Sequence, residues 1–180
     1  IKAAVIVHGP DTKIKKSNKL AQELLGLTED QMLGKKAIDP LWRFSNEDGS
    51  DMLLEHYPVN QVGASQTELK DMIAVIHRPS TNDEVTVLVN AVPDFDDKGN
   101  MIEIIVTFMD ITARKKAEEE LLKLSTAIRQ SPTSIIITDV EGNIEYVNPK
   151  FCELTGFSKE EAIDSNPKIL KSGETTKHEY

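Results

Sequence analysis

The sequence has little of several residues that would define a function by themselves. A single cysteine, Cys152, excludes an internal disulfide and a zinc site built from several cysteines. Aromatic residues make up only 5% of the chain, and Trp42 is the only tryptophan. No apolar run approaches the ~20 residues of a membrane span. We therefore expect no direct membrane contact and, with so little cysteine, a reducing cytoplasmic setting.

Positive charge is also scarce, with 21 Lys and Arg against 30 Asp and Glu and a formal net charge of −9. Nucleic-acid binding needs clustered cations, so we predict no nucleic-acid partner. No Gly-rich phosphate loop, HExxH pair or GxSxG elbow is present. The acidic run Asp94–Asp97 lacks the spacing of an EF-hand. We predict no catalytic residue and no metal site in this chain.

What is present is a pattern that occurs twice. The stretch Thr12–Met32 matches the stretch Asn143–Ala162 without gaps at an offset of 130 residues. Each copy predicts a β-hairpin followed by two short helices. The signals recur in register as helix-capping Asn18 and Asn148, helix-ending Gly26 and Gly156, and capping-box pairs Thr28–Gln31 and Ser158–Glu161.

Only the first copy continues into further β-rich segments. After a stretch of loops and short helices, we predict a helix at Leu53–Ser65 and strands at Lys70–His77, Glu84–Val92 and Met101–Ile111. The predicted fold class is α+β, a five-stranded antiparallel sheet with helices on one face, then a helical linker and a partial second unit. The predicted domains are residues 1–111, a linker at 112–131 and a truncated unit at 132–180. The chain also lacks an initiator Met, and we expect it to be a piece of a longer protein.

Two motifs carry a resemblance to a known family. The motif N-P-x-F-x-x-x-T-G starts at Asn148, and D-I-T-x-R-K starts at Asp110. Together they resemble the PAS domain family, in the tandem arrangement of multi-sensor histidine kinases. The resemblance implies a non-catalytic sensory module. Such modules are usually cytoplasmic and lie upstream of histidine kinases, cyclic-dinucleotide enzymes or transcription activators.

The linker has no Gly or Pro between Ile111 and Gln130, so it predicts one continuous helix. Asp110 or Thr112 is placed to cap its start. An apolar seam with heptad-type spacing is formed by Ala117, Leu121, Leu124 and Ile128. We interpret Asp110, Ile111 and Thr112 as a relay into a signalling helix that pairs with its twin in a dimer. The alternative is an amphipathic helix that folds back on its own sheet.

A sheet covered by helices on one face leaves room for a small ligand, which PAS-like folds often bind. The candidate cavity residues are Trp42, Phe44, His56 and Asn90. Asn90 interrupts an apolar strand, and its alternative role is to bond the backbone of a neighbouring loop. His56 lies in the region from which haem-binding relatives supply a ligand, although a surface role is the alternative.

The stretch Asn166–Gly173 is similar to a segment of blue-light and redox-sensing PAS relatives. Pro167 occupies the position where the blue-light relatives carry a reactive cysteine, and Cys152 lies earlier in the chain. The resemblance leaves FAD or haem possible without nominating either. We expect no cofactor in the truncated second unit, which lacks three strands.

The predicted function is a sensory module that relays ligand or redox state through a PAS domain and a coiled-coil linker to a C-terminal effector, with a histidine kinase as the expected effector. The alternative is a ligand-free dimerisation and spacer module. The expected partners are a second copy of the chain and the effector domain, with a small-molecule ligand as a further candidate. Apolar surface left open on the partial second unit is expected to be covered by another chain.

Overall fold

The structure is a computed structural model that describes residues 3–36, 43–78 and 81–170. The chain divides into two compact units, Ile1–Lys116 and Ala117–Tyr180. Each unit is described by itself below.

The first unit combines six strands and three α-helices within the described residues. Its strands are β1 (Ala4–His8), β2 (Ile14–Ser17), β3 (Arg43–Ser45), β4 (Leu69–Arg78), β5 (Asp83–Phe95) and β6 (Met101–Asp110). Its helices are α1 (Lys19–Leu25), α2 (Glu29–Met32) and α3 (Pro58–Ser65), with a 3₁₀ helix at Leu54–His56.

The six strands form one antiparallel sheet in the order β2-β1-β6-β5-β4-β3. The predicted α+β class is confirmed, but the predicted count of five strands is wrong by one. The additional strand is β3, which pairs Phe44 with Ile76 of β4. Three residues are too few to show the alternation that marks a strand, so the segment resembles a loop in the sequence.

Burial alternates along the strands and places the core on one face of the sheet. In β5, Val85, Val87, Val89 and Ala91 are buried, while the residues between them face the other side. Helix α3 packs on this face against β4, β5 and β6, and α1 packs against β1 and β4. The helices therefore cover the apolar face, as the sequence predicts.

The local helix signals of the first copy behave as predicted. The Asn18 side chain caps α1 by accepting from the Ala21 amide at 2.9 Å, and Gly26 ends the helix with a left-handed φ of 66°. Thr28 and Gln31 form a complete capping box at α2.

The prediction of a single helix at Leu53–Ser65 is wrong. The structure breaks it at Tyr57 into the 3₁₀ helix Leu54–His56 and helix α3. Pro58 is the first residue of α3, a position that needs no amide donor, and the residue before a proline is driven to an extended backbone. The Tyr57 ψ of 136° is such a conformation.

The second unit is smaller within the described residues. Helix α4 (Thr112–Gln130) enters it and ends just before Ser131-Pro132, where the sequence predicts the end of the linker helix. The remaining elements are β7 (Ile136–Thr138), β8 (Ile144–Val147), α5 (Pro149–Thr155), α6 (Lys159–Ala162) and a 3₁₀ helix at Pro167–Leu170. Strands β7 and β8 form a two-stranded antiparallel sheet.

The two copies share their hydrogen bonds at the 130-residue offset. In the first copy the Ile14 amide donates to the Lys35 carbonyl at 3.0 Å, and in the second the Ile144 amide donates to the Ser165 carbonyl at 2.8 Å. Asn148 caps α5, and Ser158 with Glu161 forms the capping box of α6. The repeat in the sequence is therefore a repeat in structure.

Candidate functional site

A small cavity lies inside the first unit, between the core face of the sheet and the start of α3. It has a volume of about 20 Å³, and its walls are mainly apolar. The residues around it are His8, Phe44, Tyr57, Pro58, Val59, Val106 and Phe108. A space of this size holds about one water molecule.

His8 contributes an imidazole to the wall of this cavity, and it is only 2% exposed. Its Nδ1 lies 2.9 Å from the Thr12 carbonyl oxygen, which can only accept, so Nδ1 carries the proton and donates. Burial lowers the pKa of His8 from 6.5 to about 4, partly opposed by the bond to Thr12. The imidazole is therefore neutral near pH 7. The sequence analysis missed His8 because a polar residue at a strand end reads as the start of a turn.

Of the predicted cavity residues, Phe44 lies at the cavity and Trp42 lies outside the described residues. Phe44 is 4% exposed and stacks edge-on against Tyr57, with ring centroids 4.9 Å apart. It lies in strand β3. The two rings form one wall of the cavity.

His56 and Asn90, the other two candidate residues, are not among the residues that line this cavity. The His56 side chain is 55% exposed on the 3₁₀ helix, beside Glu55. Asn90 lies on the opposite face of β5 from the buried residues, because it falls between Val89 and Ala91 in the alternation. Its Oδ1 accepts from the Asp71 amide at 2.9 Å, which is the backbone-bonding alternative.

The small cavity between the sheet and α3 does not fit haem or a flavin. Small-molecule sites usually enclose ~300 Å³ or more, whereas this cavity measures about 20 Å³. The exposed His56 does not point an imidazole into it. Among the described residues, no group of three or more His, Cys, Asp or Glu side chains is placed to hold a metal ion. In the second unit only Asn166–Leu170 of the flavin-like stretch is described.

A second polar cluster joins three strands on the other face of the sheet. The His77 Nδ1 lies 3.0 Å from Glu84 Oε1, and its Nε2 lies 2.6 Å from Ser45 Oγ. A carboxylate accepts only, so Nδ1 donates to Glu84, while Nε2 shares a hydrogen bond with the serine hydroxyl. Ser45 is buried, so a substrate does not reach its hydroxyl. The cluster connects β3 to β4 and β5 through side chains.

Several hydrogen bonds fix the junction between the end of β6 and the start of α4. The Ile111 amide donates to the Thr86 carbonyl at 2.9 Å, and the Thr86 amide donates to Thr112 Oγ1 at 2.9 Å. Asp110 accepts from the Thr112 amide at 2.8 Å, as a cap would. Ile111 is 8% exposed. The three predicted relay residues thus clamp the end of β6 and the start of α4 to strand β5.

The seam residues of α4 are open to solvent in the single chain. Leu121 is 67% exposed and Leu124 is 55% exposed, and no residue of α4 is buried. Ala117 is exposed and Ile128 is partly buried. The first turn is anchored through an ion pair of Lys115 with Glu47. No helix of the described residues is long and apolar enough to cross a membrane.

Comparison with known proteins gives a consistent family match. A family model described as "PAS fold" matches residues 1–111 and 122–179. The nitrogen fixation regulatory protein of Klebsiella pneumoniae is 38% identical over 55 residues, which is 31% of this chain and 11% of that protein. The same protein from Klebsiella oxytoca matches equally, so the chain spans about a tenth of the length of these curated relatives.

Two solved structures share the fold at low sequence identity. The PAS domain of the fruit-fly ELK potassium channel aligns with a TM-score of 0.50 and 17% identity, over 61% of this chain and 87% of that one. An RNA-binding light-oxygen-voltage receptor aligns with a TM-score of 0.50 and 17% identity, over 69% of this chain and 34% of that one. At such identities the likeness shows the fold alone.

Proposed function

The chain belongs to the PAS family, whose domains are sensory and in general not catalytic, and we propose that it relays a signal from its first unit through α4 to an effector in the parent protein. In this proposal residues 1–111 are the sensor, residues 112–131 are the relay and residues 132–180 begin a second PAS unit. The expected effector is a histidine kinase, and the expected location is the cytoplasm.

The observation that carries the proposal is the clamp between β5 and the start of α4. Thr86 both accepts from Ile111 and donates to Thr112 through its main chain. A shift of β5 therefore changes the hydrogen bonds that fix the first turn of the helix. A coupling of ~1 to 3 kcal/mol between two helix arrangements changes an effector's activity several-fold or more.

Replacing the clamp tests the relay. Thr112→Val removes the hydroxyl that Thr86 uses, and Asp110→Ala removes the cap. Each variant should speed hydrogen exchange in the first turn of α4 about tenfold, because about one hydrogen bond is lost. In the parent protein, each should uncouple effector output from the stimulus without unfolding the first unit.

Thr126→Val is the matched control, because the Thr126 hydroxyl bonds only within α4, to the Leu122 carbonyl at 2.8 Å. It should leave the first turn and the output unchanged. An unchanged response in Thr112→Val and Asp110→Ala would contradict the relay.

A second candidate function is a ligand-free dimerisation and spacer module. The small size of the cavity in the described residues favours it, because about 20 Å³ does not hold a metabolite. Native mass spectrometry of freshly purified protein separates the two candidates. Retained small-molecule mass supports ligand sensing, whereas bare polypeptide supports the spacer.

Both candidates include a homodimer. The exposed leucines of α4 and the open apolar residues Val140 and Leu154 of the second unit would be covered by another chain. Leu121→Glu places a charge in the seam and should weaken the dimer in sedimentation experiments. Lys123→Glu, two residues away and outside the seam, is its control. Equal behaviour of the two variants would contradict pairing through this seam.

A further inference from the structure

A cleft on the second unit is separate from the sensory cavity and from the relay clamp. It has a volume of about 340 Å³, within the range of small-molecule sites. The last turn of α4, the end of β8 and the starts of α5 and α6 surround it. Val147 and Pro149 give it an apolar part. The cleft is therefore large enough for a small metabolite.

The charged groups of the cleft all have the same sign. Arg129 and Lys159 line it, and no carboxylate does among the described residues. Within the described part of the chain, neither cation has an ion pair or a side-chain hydrogen bond. Tyr146 also lines the cleft, and its hydroxyl has no hydrogen-bond partner among the described residues. Two cations and a tyrosine thus line one cleft of a chain whose net charge is −9.

Local structure holds these donors in place. The buried Asn148 side chain donates to the Ile128 carbonyl at 3.1 Å, which fixes the last turn of α4 beside the start of α5. Arg129 is the next residue along that turn. Lys159 is the first residue of α6 and follows the capping-box residue Ser158. Hydrogen bonds at the end of α4 and at the start of α6 therefore hold the backbone next to each cation.

The first unit provides an internal comparison. At the 130-residue offset Lys159 corresponds to Glu29, and Tyr146 corresponds to Lys16. The first copy therefore carries an acid where the second carries a cation. The uniform charge of the cleft is not a by-product of the repeated fold.

We propose that this cleft binds a small dianion, and that a phosphate monoester is the ligand its donors suit best. A guanidinium donates two parallel hydrogen bonds to two oxygens of one anionic group, while an ammonium adds a compact charge. The Tyr146 hydroxyl supplies a further donor. A bound dianion would connect Arg129 on the relay helix to Lys159 on α6, and it would stabilise the second unit by mass action.

The test measures binding to the 180-residue chain by calorimetry at low ionic strength, with inorganic phosphate, AMP and succinate as probes. Phosphate and AMP should bind, and added sodium chloride should weaken the binding. Arg129→Gln and Lys159→Gln should each weaken it about tenfold, because each removes a charge-assisted contact. Lys123→Gln removes the same charge from an exposed position elsewhere on α4 and should change it less than about twofold.

Each outcome decides something about the cleft. Binding of succinate as tightly as phosphate would support a dianion site that reads charge alone, and binding of succinate alone would overturn the phosphate assignment. If none of the three probes binds at concentrations up to about 10 mM, the site is overturned. Equal weakening by Lys159→Gln and Lys123→Gln would also overturn it. The assay needs no effector, so its result is independent of the proposed relay.

Discussion

The two units contain the same hairpin and paired helices but differ in what covers them. In the first unit, 22 buried residues of the described part form a core that spans the six-stranded sheet. In the second, the described core consists of Ile144, Val147, Phe151 and Ala162. The caps, turns and cross-bonds are nevertheless shared at the same offset. Local structure in this fold is therefore encoded locally, while its stability depends on the strands that follow.

The largest expected effect is a substitution in the small core. Phe151 is fully buried, and Phe151→Ala should cost about 4 kcal/mol, enough to unfold the second unit. Phe44→Ala should cost about as much but leave the first unit folded, because its core is larger. Residue-resolved hydrogen exchange measures both. Protected β7 and β8 amides in Phe151→Ala would contradict this difference between the units.

The second-largest expected effect is a dependence of the first unit's stability on pH, which comes from His8. The buried His8 has a pKa of about 4 in the folded chain, against 6.5 when unfolded, so the unfolded chain takes up the proton first as the pH falls. The contribution to stability is full above pH 6.5 and is lost towards pH 4, by about 3 kcal/mol. Urea unfolding of the first unit at several pH values measures it.

His8→Thr is the natural control, because Thr138 occupies the corresponding position of the second copy. The variant should remove most of the pH dependence between 6.5 and 4 from the first unit. If the stability of the first unit still depends on pH in this range after His8→Thr, titratable groups other than His8 are responsible.

Substitution of the two capping asparagines, Asn18 and Asn148, should change the free energy of unfolding by amounts that differ less than the effects above. Asn148 and Asn18 make matching bonds, but Asn148 is fully buried and also donates to the Ile128 carbonyl. Asn18→Ala should cost about 2 kcal/mol and Asn148→Ala about 1 kcal/mol more, because an additional buried group is left unpaired. Thermal unfolding measures the loss of stability in each variant. Equal losses would contradict a stabilising contribution from the hydrogen bond between Asn148 and the Ile128 carbonyl.

The capping boxes should give the smallest effect. Thr28→Ala and Ser158→Ala should each cost about 1 kcal/mol in their own unit. Hydrogen bonds from Ser158 lower the pKa of Glu161, so its contribution is present at neutral pH and is lost as the pH falls through that lowered value. Gln31, which holds the equivalent position in the capping box of α2, carries an amide that does not ionise. Amide exchange in α2 and α6 at neutral and acidic pH measures the contrast.

Much of the fold follows from neighbouring residues, and that part is predictable. Asn18, Gly26 and the Thr28–Gln31 pair act through hydrogen bonds to residues a few positions away, so their pattern is sufficient to place the helix ends. The absence of Gly and Pro was likewise enough to predict the helix that the structure shows as α4.

The remaining features depend on distant residues. Strand β3 exists because it pairs with β4 more than 30 positions later, which three residues do not reveal. The order of the strands is what brings His8, Phe44 and Phe108 to the wall of one cavity. The cluster of Ser45, His77 and Glu84 also joins three strands. Site geometry was therefore harder to predict than architecture.

The position of β6 has a mechanical consequence. It is paired on both sides, with β1 and with β5, and it runs directly into α4. Antiparallel hydrogen bonds lie perpendicular to the strands, so tension along β6 loads both ladders together in shear. An edge strand under the same tension would instead peel away one bond at a time. A force that pulls on α4 along β6 is therefore resisted by the hydrogen bonds of both ladders at once.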